Sequence, residues 1–311
     1  MRMKISKTEN PQDWEKVNPN FIYNRFDLFC KEGEFEAVRL ESNGNEKVLE
    51  YRIINDQAEL GLWLVPITEE ELRRILLYIT QNHPNVNKIV YKNGVIPFGK
   101  FREHNHFRIV FPETVEEMLN RISSKSRANQ RKKLKAAEEA YGKMDFLEYD
   151  RSNLPIDIVE AFFQFKYEIR KRKYNMTAAE YLDRYHVSHC YVIRFGDTIG
   201  AIRFSCEQCP VVYGENFTYN PALADYSLGR AVFIYHLVRM VEKKHTELFF
   251  AGGNYEYKKH YGSIEETLYD CEINVSELDF TDLIAQDSLW GRCKLFLKTH
   301  LRLHVPSVTS E

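Results

Sequence analysis

Alternating apolar and polar residues in the first hundred positions predict a sheet with a covering helix. Residues 35–40 and 48–54 alternate as strands do, and the polar and glycine residues of 42–45 predict a turn between them. Thr68 followed by Glu71 has the spacing of a capping box, so we expect a helix to begin there. Residues 87–91 then predict a return to strand.

Short apolar strands and amphipathic helices follow one another in the second half. Gly196 and Asp197 separate two apolar runs, which predicts a tight hairpin. The predicted order is a helix after 112 that continues through the basic run 125–135, strand 146–149, helix 156–173, strands 190–195, 199–204 and 211–219, helix 228–244, strand 248–251, helix 254–261, strand 267–275 and helix 277–303.

These patterns predict an α/β (α+β) fold, in which helices cover a mixed, mostly antiparallel sheet. A chain of 311 residues is long enough for two units with separate cores. We place the boundary after residue 111, so that 1–111 form an amino-terminal lobe and 112–311 form a second domain.

Composition and charge exclude several classes of protein. The net charge of -2 argues against a dedicated nucleic-acid or membrane-surface protein. No apolar run reaches the length of about 18 residues that a membrane-spanning helix needs. The amino terminus lacks the apolar segment of a signal peptide, so we expect a cytoplasmic protein. Cys206 and Cys209 have no second ligand pair at the usual distance, so no metal site is expected.

Two predicted strand-to-helix turns carry the candidate chemistry. The first, Asp225–Ala231, would offer backbone N–H groups to an anion at the start of a helix. The second, Phe250–Lys258, places a phenol and an amine beside two glycines. Two such turns side by side predict a phosphate-bearing ligand held next to a reacting group.

Over 112–275 the chain resembles the GNAT superfamily of N-acetyltransferases. The resemblance rests on the basic segment Lys125–Lys132, on Leu228–Ala231 after a strand, and on Phe249–Gly262. Within the superfamily these segments are similar to the cellulose-biosynthesis (CelD-like) branch. The first half resembles a degenerate copy of the same fold, as in the two-lobed Fem-type aminoacyltransferases.

The resemblance implies acetyl-coenzyme A, or another acyl-coenzyme A, as cofactor. The family motif begins with Gln or Arg and continues with small residues; here Gly229 and Ala231 occupy the small positions, but Tyr226 stands at the first. The implied cofactor-binding residues are Phe217, Tyr219, Ser227, Leu228, Gly229, Arg230, Ala231, Asn254 and Lys258. The alternative is that Gly229 only eases the turn, that Asn254 caps a helix, and that Lys258 is solvated.

For catalysis, Tyr257 matches the tyrosine of the branch signature, which makes it the candidate general acid. Tyr261, four residues on, is the alternative acid. Glu215 lies on the strand before the first turn and is the candidate base, acting through water; alternation would place it on the face of Tyr213 and Phe217. The alternatives are that both tyrosines are packing residues and that Glu215 faces solvent.

Three functions remain open. The first is an N-acyltransferase acting on a small-molecule amine, and the CelD-like resemblance suggests an amino sugar in surface polysaccharide assembly. Arg127 and Arg131 of the basic helix are candidate contacts of an anionic substrate, or else part of a solvated face. The second function is a Fem-type transferase that uses aminoacyl-tRNA. The third is a non-catalytic binding protein with a decayed acetyltransferase lobe.

Overall fold

The alternating segments near the amino terminus are antiparallel strands, as predicted. The structure is a computed structural model that describes residues 3–18, 22–26, 30, 32–42, 44–171, 173–207, 210–250 and 256–287. The strands are β1 (Lys4–Thr8), β2 (Glu34–Ser42), β3 (Asn45–Ile54), β4 (Gln57–Leu60), β5 (Lys88–Gly94), β6 (Lys100–Val110), β7 (Met144–Asp150), β8 (His189–Phe195), β9 (Thr198–Cys206), β10 (Val211–Tyr219), β11 (Glu247–Phe250) and β12 (Ile264–Asn274).

The described α-helices include those predicted from residue 68, after 112, at 156–173 and at 228–244. The short helices at 11–14 and 178–184 were not predicted, and the predicted helix 254–261 contains a 3-10 helix, Glu256–Tyr261. The α-helices are α1 (Pro11–Trp14), α2 (Glu69–Asn82), α3 (Val115–Asn120), α4 (Ser124–Tyr141), α5 (Ile156–Arg170), α6 (Ala178–Arg184), α7 (Leu228–Glu242) and α8 (Thr281–Asp287). Most of the expected terminal helix 277–303 lies outside the described residues. Among those that are described, we find no helix with the length and apolar character that a membrane crossing requires.

The chain forms two units. One consists of Met1–Asn18, Tyr23–Glu103 and Leu268–Glu311, and the other of Pro19–Ile22 and His104–Thr267. The expected boundary after residue 111 therefore changes in two places. Residues from His104 on join the second unit because the end of β6 pairs with β11. Residues from Leu268 on return to the first unit because β12 pairs with β5.

In the first unit the strand order is β1-β2-β3-β4-β5-β12. The β4–β5 pair is parallel, and the other pairs with a described register are antiparallel. Helix α2 begins as predicted, because the Thr68 hydroxyl accepts from the Glu71 amide at 3.2 Å and a Glu71 carboxylate oxygen accepts from the Thr68 amide at 2.8 Å. Its apolar face is buried in the core of this unit.

In the second unit the strand order is β6-β11-β10-β9-β8-β7. Among the strand pairs described for this unit, only β10–β11 is parallel. Helix α7 buries Val232, Phe233 and Leu237 against one face of this sheet. Helices α5 and α6 pack on the other face, where Phe162 and Tyr181 are fully buried. A mixed, mostly antiparallel sheet flanked by helices is therefore confirmed.

Candidate active site

Strand β10 pairs in parallel with β11 from Val211, opposite Glu247, to Gly214, opposite Phe250, which is the last described residue of β11. On its other edge the register with β9 shifts between Tyr213 and Asn216. Strand β10 therefore contains a β-bulge between Tyr213 and Asn216.

The bulge changes which residues of β10 share a face. Tyr213 lies opposite Cys206 of β9 and Phe217 lies opposite Arg203. These partners are three residues apart, so Tyr213 and Phe217 point to opposite faces of the sheet. Simple alternation, which would have placed Glu215 on a face shared by both rings, does not hold here. The side chain of Glu215 lies outside the described part of the structure.

A short 3-10 helix and a left-handed residue connect β10 to α7. The 3-10 helix spans Pro221–Tyr226, and Ser227 then adopts φ 55°. The amides of Arg230 and Ala231 bond to the carbonyl of Ser227. The Ser227 side chain does not cap the helix. The predicted strand, turn and helix are present in that order.

Gly229 allows β10 and α7 to approach closely. A Cβ at this position would lie 3.1 Å from the ring of Tyr219 and 3.4 Å from that of Phe217. Leu228 and Ala231 are buried in the core of the second unit. Glycine at position 229 thus has a packing reason of its own, and the side chains of Leu228 and Ala231 belong to the core.

The basic helix α4 packs onto the same turn. Lys133 Nζ donates to the Ser227 hydroxyl at 2.8 Å, and Gln130 Nε2 donates to the Ser227 carbonyl at 3.4 Å. From α7, Arg230 Nη2 donates to the Ser126 hydroxyl at 2.6 Å. Two cationic side chains, Lys133 and Arg230, therefore flank the start of α7.

The arginines singled out from the sequence lie elsewhere on α4. Arg127 donates to Asn120 Oδ1 at 2.7 Å, and Arg131 is exposed. Residues 126, 130 and 133 face the turn because they follow one another at spacings of four and three along the helix. The sequence could have indicated these residues by their helical spacing. Arg127 and Arg131 were chosen for their positive charge alone, without regard to which face of the helix they occupy.

The second turn is described only in part. Asn254 lies outside the described residues, as do the side chains of Tyr257 and Lys258, whose backbone belongs to a 3-10 helix, Glu256–Tyr261. The proposed roles of these three residues therefore stay predictions.

Tyr261 is described, and it packs in the core of the second unit. Its ring meets that of Phe233 edge to face at 4.7 Å between centres, and the Arg230 guanidinium lies 6.0 Å from its centre. Only 3% of Tyr261 is exposed. This placement favours the packing alternative for Tyr261.

A buried ionic cluster centred on Glu207 was not predicted. One carboxylate oxygen of Glu207 accepts from the hydroxyls of Tyr191 at 2.8 Å and Ser205 at 2.5 Å, and the other accepts from Lys243 Nζ at 2.8 Å. Lys243 also pairs with Glu148. We call these residues, together with His236, the Glu207 cluster. Glu207 lies between the predicted strands 199–204 and 211–219.

Burial would raise the pKa of the Glu207 carboxyl, but the polar contact with His236 and the hydrogen bond from Lys243 hold it well below its usual range. Burial, aided by the charge of Arg203, lowers the pKa of His236 to about 4. The imidazole is therefore neutral near pH 7, and Lys243 is then the cation that balances Glu207.

Ligand atoms of Glu148, His189 and Glu207 lie within 4.8 Å of one another, a spacing that could hold a metal ion. The ammonium of Lys243 already bridges the two carboxylates, so we assign no metal to this position. His189 lies on β8, with Nδ1 3.4 Å from Glu207 and Nε2 2.9 Å from Asp150.

Residues 124–259 match the family model described as "Acetyltransferase (GNAT) domain". No curated protein matches the chain significantly. Among solved structures, FemX is 10% identical with a TM-score of 0.58, and the match covers 87% of this chain and 97% of that chain. A conserved protein of unknown function from Bacteroides thetaiotaomicron VPI-5482 is 10% identical with a TM-score of 0.50, covering 82% and 92%.

A tandem GNAT protein from the clavulanic acid biosynthesis pathway is 8% identical with a TM-score of 0.46. The match covers 89% of this chain and 100% of that chain. At these identities the matched structures show the fold alone. The chain therefore has the GNAT fold, and its second unit contains the GNAT domain that the family model matches.

Proposed function

We propose that the second unit transfers an acyl group, acetyl in the first instance, from coenzyme A to the amino group of a small molecule. The observation that carries this proposal is the bulge of β10 between Tyr213 and Asn216, on the strand that leads into the turn at Ser227. A bulge interrupts the ladder of backbone hydrogen bonds, so backbone groups of β10 are available to a ligand there.

The turn at Ser227 fits the diphosphate of such a ligand. The first amides of a helix lack intrahelical acceptors, and the helix dipole favours an anion there. The Ser227 side chain does not cap α7, and its hydroxyl accepts instead from Lys133. Lys133 and Arg230 supply positive charge beside the amides of Leu228 and Gly229. This set of donors suits a diphosphate.

The thioester supplies an activated acyl carbonyl and a thiolate leaving group. As the acceptor nitrogen bonds to the carbonyl carbon and the C–S bond breaks, the thiolate needs a proton. We propose the Tyr257 phenol as its donor, because a phenol pKa of about 10 lies near that of a thiol. Glu215 would take the proton of the amine through water. An amino sugar acceptor follows from the CelD-like resemblance.

A thermal-shift panel with acetyl-coenzyme A, longer acyl esters and tRNA tests the proposal. A ligand at about 100 times its Kd stabilises the folded state by about 2.7 kcal/mol. For a unit of this size that is a rise of about 5–10 °C in melting temperature. We expect the shift with an acyl-coenzyme A. Stabilisation by tRNA alone would favour the Fem-type alternative, and no shift with any compound would favour a non-catalytic protein.

The role of Tyr257 has a separate test. Tyr257→Phe should lower kcat by about 10²-fold or more, with little change in the Kd of acetyl-coenzyme A. Tyr261→Phe is the matched control, and it should retain kcat. Unchanged turnover in Tyr257→Phe would remove Tyr257 as the acid.

A further inference from the structure

Arg203 lies on the strand next to the bulge of β10, and its guanidinium reaches Gly214. It is on β9, opposite Phe217, and is buried in the second unit. A Cβ built on Gly214 would overlap Nη2 of its guanidinium. The guanidinium therefore fills the space beside Gly214, which lies within the bulge and has no side chain where that cation lies.

Helix α7 holds Arg203 from the other side. His236 Nδ1 accepts from Arg203 Nε at 2.9 Å, and the guanidinium carbon lies 4.6 Å from the centre of the Phe233 ring. Phe233 and His236 are three residues apart, so they share one face of α7. The helix whose first turn would hold the diphosphate thus also holds the cation at the bulge.

The Glu207 cluster fixes His236 in turn. His236 Nε2 lies 3.7 Å from Glu207, and Glu207 is held by Lys243 and Tyr191. Because the imidazole accepts a hydrogen bond at Nδ1, its proton is on Nε2 and faces this carboxylate. Glu207, His236 and Arg203 therefore form a continuous chain of contacts that ends at Gly214.

We propose that Arg203 and His236 are positioning residues, which set the bulge of β10 so that its backbone can hold the thioester carbonyl during acyl transfer. This inference rests on the proposed function. A carbonyl oxygen that gains negative charge is stabilised only by donors already in place, and a buried cation nearby adds to that stabilisation. Loss of the guanidinium should therefore slow turnover more than it weakens binding of the acyl ester, whose diphosphate is held elsewhere.

The test compares Arg203→Met with Arg203→Lys. Methionine has similar length without charge, whereas lysine keeps the charge but loses the Nε donor to His236. We expect Arg203→Met to lower kcat at least tenfold with the KM for acetyl-coenzyme A within threefold of wild type, and Arg203→Lys to fall between the two. Arg194→Met is the matched control; Arg194 lies on β8 and pairs with Asp157 at 2.9 Å. It should keep wild-type kcat.

Melting temperatures measured without any ligand test whether the Arg203 guanidinium occupies the space beside Gly214. Gly214→Ala should lower the melting temperature by several degrees in wild type, and by less in an Arg203→Met background, where the new methyl group has room. Equal effects in both backgrounds would overturn the proposed contact. This measurement applies even to a variant without turnover.

The outcomes separate this inference from the function on which it rests. If wild type neither binds nor consumes any acyl-coenzyme A, the proposed function fails and the inference fails with it. If wild type is active and Arg203→Met keeps its kcat, or loses kcat only in proportion to a rise in KM, the inference alone fails. Should Arg203→Met not fold, an Arg203→Lys variant with wild-type kcat would overturn it.

Discussion

Replacing Glu207 by glutamine tests whether the Glu207 cluster stabilises the second unit. Only 1% of the Glu207 side chain is exposed, and its carboxylate accepts from Tyr191, Ser205 and Lys243. Glutamine keeps the shape but loses the charge. Its NH2 group would also face a donor, whichever way the amide is turned.

The expected loss follows from the burial of the charge. Removing one partner of a buried ion pair costs about 3–5 kcal/mol. Lys243 keeps Glu148 as a second partner, so we expect the lower end, about 3 kcal/mol. In a unit of this size that loss lowers the melting temperature by about 6–12 °C.

Urea unfolding at pH 7 measures this change in the free energy of unfolding. The matched control is Glu242→Gln. Like Glu207, Glu242 is in an ion pair, with Arg239 on α7, but 43% of its side chain is exposed. Exposed pairs contribute about 0–1 kcal/mol, so the control should be nearly neutral. Equal losses in the two variants would refute the assignment of Glu207 as a buried structural charge.

We also expect the difference in stability between wild type and Glu207→Gln to depend on pH. The pKa of Glu207 is lowered in the folded state, so its contribution is fully present above the unfolded pKa of about 4.3. It is lost as the pH falls further, because the unfolded chain then binds a proton that the folded one does not. The difference between wild type and Glu207→Gln should be constant from pH 7 to 5 and should shrink below about pH 4.3.

Three further predictions concern other parts of the chain. His236 has a folded pKa of about 4, so the free energy of unfolding of wild type should fall as the pH drops below about 6.5, where the unfolded chain binds a proton that the folded one does not. His236→Gln should lack that loss when urea unfolding is compared at pH 7, 6 and 5. Thr68→Ala removes the capping box of α2 and should cost about 1 kcal/mol in the same assay. Gly229→Glu should abolish acetyl-coenzyme A binding in calorimetry, because it adds a carboxylate at the proposed diphosphate site, whereas Gly229→Ala should retain it.

The order of strands and helices could be predicted because hydrophobic periodicity reflects burial. In the predicted helix 228–244, the regularly spaced apolar residues Val232, Leu237 and Met240 are all buried. In the predicted helix 156–173 the spacing is a poorer guide: Val159, Phe162 and Lys166 are buried, but Ile169 is 36% exposed, and Ile158 and Phe165 are buried instead. A helical stripe is several residues wide, so its centre can be misplaced by one position.

Strands β1 and β6 were missed because charged and polar residues hide their alternation. β1 contains Lys4 and Lys7, and it lies at an edge of its strand order. In β6 only Phe107 and Ile109 alternate as buried residues, after a polar stretch that includes His104 and His106. The His106 ring stacks on that of Phe249, with 5.1 Å between the ring centres.

The Glu207 cluster could not be predicted, because its members are far apart in the sequence. Glu148 and Lys243 belong to different elements, and no local pattern connects them. The burial of His236 could have been predicted, because it lies three residues after Phe233 and next to Leu237, on the apolar face of α7. The bulge at Gly214 likewise depends on Arg203 from the neighbouring strand.

A crystal structure of the protein with acetyl-coenzyme A, at a concentration that calorimetry shows to be saturating, tests the central claim most directly. The account predicts the diphosphate on the amides of Leu228 and Gly229, within reach of Lys133 and Arg230, and the thioester against β10 beyond Gly214. Saturated protein whose ligand lies elsewhere, with this turn free of the diphosphate, would contradict it.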